Sequence, residues 1–322
     1  MTVISKDISK AIEILNNEDI VAIPTETVYG LAGNIYSEKA IRKIFQVKQR
    51  PLFNPLIVHI HSIEKIDEIV SELPEQAKRL AEAFWPGALT LVLKKNPNIP
   101  DLITAGKDTV AVRIPNHPET LSLLQKLSFP LAAPSANPFG SISPTNSTHV
   151  ANYFSNTISM VLEGGACKNG IESTIIGFEN NEAVLYRLGS ISIEEIENVI
   201  GLLKVKNKQE IAPNAPGMLA RHYAPKTRTY LVKNAEKFIK NYSNKKIGVL
   251  RCSNGTSSLN CMHLEELSKK MDLKEAASNL YAALHRLDNL NLDMIVAELF
   301  PNTGLGKSIN DRLERATRNG NT

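Results

Sequence analysis

Apolar residues in the first two hundred positions come in short runs, too brief for helices, and segments of helical spacing lie between them. Ile20–Ile23, Leu56–Ile60, Leu89–Leu93, Val110–Ile114, Leu131–Ala133, Ser159–Leu162, Thr174–Phe178 and Val184–Leu188 read as strands. Ile8, Ala11, Ile12 and Leu15 mark a helix closed by Asn16-Asn17, and Ser37 caps another whose face is Ala40, Ile41, Ile44 and Phe45. Further helices fill 62–70, 75–84, 118–127 and 192–203. This alternation excludes an all-helical fold. Only a few polar residues around Glu179-Asn180-Asn181-Glu182 split the last two strands, which fits a hairpin and so a mixed rather than purely parallel sheet.

The pattern breaks at Lys204–Arg228, where Pro213, Pro216, Gly217 and Pro225 interrupt any regular element. A smaller α/β unit follows, with strands at Thr229–Val232, Ile247–Arg251 and Met294–Leu299 and helices at 234–242, 273–289 and 306–318. The expected organisation is a domain over 1–204, a Pro-rich linker or lid over 205–228 and a second domain over 229–322. Charge follows the same division. Residues 1–205 carry 18 Lys/Arg against 22 Asp/Glu, and residues 206–322 carry 19 against 11. A bulk electrostatic grip on nucleic acid is therefore unexpected of the first part and open for the second. Three scattered cysteines form neither a disulfide framework nor a CxxC site. No apolar run approaches the ~18–20 residues that span a bilayer. The opening MTVISKDISK lacks the apolar core of a secretion signal, so a cytoplasmic location with no membrane contact is expected.

Polar groups cluster at the ends of the strands. Pro24-Thr25-Glu26-Thr27-Val28-Tyr29-Gly30-Leu31 follows the first, placing hydroxyls and a carboxylate where α/β folds build sites. Lys48-Gln49-Arg50-Pro51 and Asn54-Pro55 set two cations on a stiff loop, suited to a polyphosphate and equally able to complement the helix dipole. Arg113 closes the strand that begins at Thr109, and an arginine there can clamp a carboxylate or phosphate. Ala132-Ala133-Pro134-Ser135-Ala136-Asn137 offers small residues and two hydrogen-bonding side chains, and Glu163-Gly164-Gly165 and Gly170-Ile171-Glu172-Ser173-Thr174 add glycines and hydroxyls. His59 and His61 share a strand face, either a solvent-facing edge or the start of a metal site with no third ligand in view. Pro301-Asn302-Thr303-Gly304-Leu305-Gly306-Lys307-Ser308 narrowly misses a phosphate loop, its first position being Pro, and reads as a turn into the last helix. With no nucleophile–base pair, these groups suit binding and activation of an anionic nucleotide better than covalent catalysis.

PTETVYGL, KQR followed by NPL, PSAN and the GG…GIEST run resemble the YrdC-like family, and Lys48-x-Arg50 with Ser135-x-Asn137 matches its KxR…SxN tetrad. Arg221-His222-Tyr223-Ala224-Pro225 and the ending Gly304-Leu305-Gly306…Ile309-Asn310-Asp311-Arg312-Leu313 resemble its longer, two-domain members, the L-threonylcarbamoyladenylate synthases. The resemblance implies an N-terminal YrdC-like α/β domain with a twisted mixed sheet and flanking helices, and a smaller Rossmann-like C-terminal α/β domain. It implies that L-threonine, bicarbonate and ATP give threonylcarbamoyl-AMP and diphosphate, used by a downstream tRNA threonylcarbamoyl transferase beside the anticodon. Lys48 and Arg50 would be catalytic. ATP would be held by Lys48, Arg50, Asn54, Thr109, Ser135, Ser143, Arg187 and His222. Threonine would be held by Thr27, His59, Arg113, Ala133 through its backbone, and Ser173. Asn137 belongs to the tetrad without a separate role, and Mg2+ is expected to ride on the ATP phosphates.

Two competing readings remain at this point. One is a non-catalytic RNA-binding protein using the same cleft, which the acidic balance of residues 1–205 disfavours. The other is a carbamoyl-phosphate-using maturation enzyme, which needs zinc-finger cysteines and a longer chain. The linker, with Arg221, His222 and Tyr223 among prolines, is expected to fold over the nucleotide as a lid. Arg312, Arg315 and Arg318 at helical spacing are read as a solvated helix face, with contact to tRNA or a partner enzyme as the alternative.

Overall fold

Because strand-forming runs outnumber what one short sheet can pair, the first two hundred residues build an extended one. The computed structural model describes residues 2–180, 182–206, 223–252 and 259–317. Its strands are β1 (Val3–Ser5), β2 (Val21–Ile23), β3 (Gly30–Asn34), β4 (Ile57–His59), β5 (Leu89–Lys94), β6 (Thr109–Arg113), β7 (Leu131–Ala132), β8 (Met160–Leu162), β9 (Thr174–Glu179), β10 (Glu182–Arg187) and β11 (Lys204–Val205). They pair in the order β1-β8-β2-β3-β7-β4-β6-β5-β9-β10-β11. The sheet is mixed: β4 runs parallel to β6, while β5–β6 and the β9–β10 hairpin are antiparallel. Around it lie α1 (Ile8–Asn16), α2 (Glu38–Lys48), α3 (Glu75–Phe84), α4 (Asp101–Thr104), α5 (Pro118–Lys126), α6 (Ser147–Phe154) and α7 (Ile193–Ile200).

A second sheet is wholly parallel, as a Rossmann-like unit requires. It comprises β12 (Thr229–Val232), β13 (Ile247–Arg251), β14 (His263–Glu266) and β15 (Met294–Glu298), in the order β12-β15-β13-β14. Its helices are α8 (Ala235–Ile239), α9 (Leu273–Asp288) and α10 (Leu305–Thr317). No helix among the described residues is long and apolar enough to cross a membrane.

Local chemistry explains the elements that bear on the site. Ser37 accepts a hydrogen bond from the Ala40 N–H and starts α2 as expected. Gln49 adopts φ 52° and Pro51 follows, so the chain leaves α2 sharply after Lys48. Three differences from the sequence reading stand out. The segment 62–70 forms only a 3-10 turn, Ile63–Glu68. Helix α6 was not anticipated, although Asn146 caps it through the His149 N–H. Strand β3 was hidden by two glycines whose smallness lets neighbours close in: a Cβ on Gly30 would lie 3.1 Å from the Ala133 Cβ.

The two sheets share an apolar cluster. Val28, Ile142 and Ile171 pack with Tyr223, Leu280, Tyr281 and Leu313. The His149 and His285 rings stack across the same boundary, 3.8 Å apart. At Gly170 the approach of α9 is closest, since a Cβ there would meet the Ser278 carbonyl oxygen at 2.2 Å, and φ is +69°. Gly170→Ala therefore combines left-handed strain with a backbone collision. We expect it to lower stability by about 2 kcal/mol or more. The measurements are thermal unfolding and limited proteolysis, and a wild-type melting temperature would contradict the close docking of α9.

Candidate active site

Strand ends and the loops beside them converge on one cleft of about 580 Å³, counting solvent at its mouth. Of the residues singled out from sequence, Thr27, Arg50, His59, Arg113, Ala133, Ser135, Ser173 and Arg187 line it. Residues the sequence reading left unassigned join them, notably Thr25, Gly30, Glu172 and Tyr223. Both glutamates of this region, Glu26 and Glu172, lie inside the quoted motifs, and burial alone distinguishes them from solvated carboxylates.

On the α2 side, Lys48 is 1% exposed and donates to the backbone carbonyls of Ser135 and Asn137, 2.5 Å each. It does not line the cleft. It ties the Ser135-x-Asn137 loop to the end of α2, while Asn137 Nδ2 donates to the Pro138 and Ser141 carbonyls at 2.9 Å. Burial, then the Arg50 charge, holds the Lys48 ammonium well below its ordinary pKa. Arg50 does face the cleft, anchored by Nε to the Asn54 carbonyl (3.2 Å) and by an Nη to the Pro55 carbonyl (2.8 Å). Burial pushes its pKa down to about 9. The Asn54 side chain is fully buried with no hydrogen-bond partner among the described residues.

Across the cleft, Arg113 donates to Glu26 Oε1 (2.6 Å) and to the Gly87 carbonyl (3.1 Å). His59 Nδ1 bonds the Ile57 carbonyl at 3.2 Å, so Nδ1 carries the proton and Nε2 is an acceptor. Burial, then Arg113, pushes its pKa down to about 3. Thr25 Oγ1 donates to the Val28 carbonyl, so in the 2.8 Å Thr25–Thr27 pair Thr27 is the donor and keeps its lone pairs for a ligand. The Ala133 N–H is spent on the Ile57 carbonyl, leaving its carbonyl oxygen as the group it can offer.

Arg187 reaches the cleft because β10 is irregular. Its register shifts between Leu185 and Arg187, setting Arg187 opposite Ile175 and Val184 opposite Gly177. That bulge brings Arg187 to the face of Val184, where regular alternation would point it away. Arg187 then donates to the Ser173 carbonyl (3.0 Å) and Oγ (2.9 Å).

Other residues singled out from sequence do not line this cleft. Ser143 gives its hydroxyl to Glu172 Oε1 at 2.6 Å and is fully buried behind the cleft, because a buried carboxylate is the stronger acceptor. Thr109 lies at the far end of β6 in a separate groove with Val92 and Tyr186. It shares a sheet face with Arg113 about 13 Å away, at ~3.3 Å per residue. Ile57, Val92, Ala111, Ile175, Val184 and Tyr186 form an apolar floor between the two. Arg312 and Arg315 are 1% and 2% exposed, so they are neither a solvated face nor available to tRNA. Lys307 and Ser308 of the near-miss phosphate loop bond Glu194 and the Gly189 carbonyl. Arg221, His222, Arg318 and most of the proposed lid, 207–222, lie outside the described residues. Among the described residues no three His, Cys, Asp or Glu side chains could hold a metal ion together.

Residues 13–189 match the Sua5/YciO/YrdC family model, described as "Telomere recombination", and residues 191–317 match "Threonylcarbamoyl-AMP synthase, C-terminal domain". The threonylcarbamoyl-AMP synthase of Pyrococcus abyssi is 41% identical, over 92% of this chain and 90% of that protein. The chain belongs to the threonylcarbamoyl-AMP synthase family. The family member of Bacillus subtilis is 38% identical, over 96% of this chain and 92% of its own length. The crystal structure of P. abyssi Sua5 complexed with L-threonine superposes with a TM-score of 0.92, at 38% identity and 98% coverage of both chains. Family membership makes the chain an enzyme of the nucleotidyltransferase type.

The buried histidines give a pH prediction. His59, His149 and His285 have pKa values lowered, chiefly by burial, to about 3, 3 and 4. Below the ordinary value of 6.5 the unfolded chain takes up protons that the folded one refuses. Stability is therefore full above pH 6.5 and falls as pH drops toward 3–4, by up to ~1.4 kcal/mol per pH unit for each such histidine. Urea midpoints at pH 7 and pH 5 check this, and His285→Gln, which keeps a donor for the Ser143 carbonyl, should flatten the slope.

Proposed function

We propose that this cleft joins L-threonine, bicarbonate and ATP, giving threonylcarbamoyl-AMP and diphosphate. The observation that carries the reading is the convergence of Arg50, Arg113 and Arg187 with His59, Thr27, Ser135 and Ser173 on one cleft. Guanidinium has five donors, and the two bonds named for Arg113 leave others for the threonine carboxylate. Thr27 presents acceptor lone pairs to the amino group. The neutral His59 ring adds an acceptor without competing for the carboxylate clamp.

The amine adds to bicarbonate with loss of water, forming a carbamate. Its oxygen then attacks the α-phosphorus of ATP, and the bond to the β-phosphate breaks as diphosphate leaves. The phosphates would lie toward Arg50, Arg187 and Ser135, with Lys48 fixing the Ser135 loop from behind. The nucleoside would run along the apolar floor toward Thr109. Positioning and charge neutralisation supply the catalysis, since phosphoryl chemistry needs little covalent help from protein. The described residues offer no metal cage, so Mg2+ would arrive on the phosphate oxygens as part of the nucleotide substrate. The product, a reactive mixed anhydride, would pass to a tRNA threonylcarbamoyl transferase.

Mass spectrometry with labelled bicarbonate tests the reading. The wild type should form labelled threonylcarbamoyl-AMP only when threonine, bicarbonate and ATP are all present. Arg113→Ala should lower kcat/KM for threonine about 100-fold, ~3 kcal/mol, with Arg113→Lys intermediate and the KM for ATP little changed. Diphosphate release from ATP alone, or unaltered threonine dependence in Arg113→Ala, would refute it.

A further inference from the structure

The buried network behind the cleft has no role in the chemistry just described. Glu172 lines the cleft, yet both its oxygens face partners behind it. Ser143 Oγ donates to Oε1 at 2.6 Å, Tyr281 Oη reaches both oxygens at 3.1 and 2.9 Å, and Arg312 Nε donates to Oε2 at 2.9 Å. Tyr281 and Arg312 come from α9 and α10, in the second unit of the fold. Arg312 also donates to the Leu188 carbonyl at 2.6 Å, one residue beyond Arg187, and its guanidinium lies 4.9 Å from the centre of the Tyr223 ring.

We infer that Arg312 is a positioning residue for the nucleotide: it holds the Glu172 carboxylate back so that Arg187 stays on Ser173 and serves the phosphates. This rests on the reading of the cleft as an ATP site. The reason is electrostatic competition at short range. Glu172 precedes Ser173, whose carbonyl and hydroxyl hold Arg187. Burial would raise the Glu172 pKa, but Arg312, then Arg187 and the Ser143 hydroxyl, keep it below the usual carboxylate range. Glu172 is therefore an anion inside a site built for anions. Released from Arg312, it would turn toward the other cation that acts on it, Arg187, and compete with the phosphates for that guanidinium. Arg312 Nη1 also donates to Asp311 Oδ2 at 2.8 Å, but Arg315 holds the same carboxylate through Nε at 2.9 Å and an Nη at 3.1 Å, so Asp311 keeps a cation when Arg312 is replaced.

Calorimetric titration of the full chain with ATP and, separately, threonine tests this in four proteins: wild type, Arg312→Gln, Glu172→Gln and the double variant. Arg312→Gln should weaken ATP binding at least about tenfold and threonine binding less than about threefold. In the Glu172→Gln background the same arginine change should alter ATP affinity by less than about threefold, because no carboxylate is left to compete. A general structural role predicts equal losses in both backgrounds, or ATP and threonine affinities falling together, and either result overturns the inference. So does unchanged ATP affinity in Arg312→Gln. Should that single variant fail to fold, the comparison of Glu172→Gln with the double variant decides: less than about threefold supports the inference and about tenfold overturns it. A wild type that binds no ATP would instead overturn the reading of the cleft, a distinct outcome.

Discussion

Cations removed from water must find negative charge, and that requirement organises this protein. Lys48, Arg50, Arg113, Arg187, Arg312 and Arg315 are buried, against the buried carboxylates Glu26, Glu172 and Asp311 in the same region. Leaving a charge buried and uncompensated is expensive, so this surplus is tolerable only where backbone carbonyls absorb part of it and a ligand supplies the remainder. Lys48 shows the first solution, wrapped by the Ser135 and Asn137 carbonyls. Arg113 and Arg187 line the cleft while tethered, Arg113 to Glu26 and the Gly87 carbonyl, Arg187 to Ser173. The downward pull on the Lys48 and Arg50 pKa values expresses the same tension.

The two units of the fold are joined by this requirement as much as by apolar packing. Helices α9 and α10 bring Tyr281 and Arg312 against a carboxylate that belongs to the cleft wall. The second unit is thereby part of the electrostatics of the site without facing the substrate. Gly170 makes the approach possible, since any side chain there would stand where the α9 backbone runs. A neutral His59 beside Arg113 fits the same scheme, because a protonated ring would add yet another cation.

Much of this was legible in the sequence, and the gaps have physical causes. The strand runs, the hairpin at β9–β10 and the Ser37 cap could be read because local periodicity and turn chemistry determine them. Strand β3 could not, because Gly30 and Gly33 are in a strand for the close packing they permit rather than for propensity. Most of the motif residues line one cleft. The motifs did not reveal which side chains face it, since Ser143 and Lys48 are turned away by partners distant in sequence. Helical spacing suggested a wet arginine stripe on α10. Whether such a stripe meets solvent or a buried glutamate depends on tertiary docking, which periodicity does not encode.

The irregularity in β10 carries a lesson about tolerance to change. Strand pairing alone would favour healing the ladder with no residue lost, Tyr186 taking the place opposite Ile175 that Arg187 now holds. That repair would reverse the parity of the strand's end and exile its guanidinium to the opposite side of the sheet. Regularity and reach are thus opposed at this spot, and a straightening harmless in most hairpins would here leave a well-made sheet with no hand for the anion.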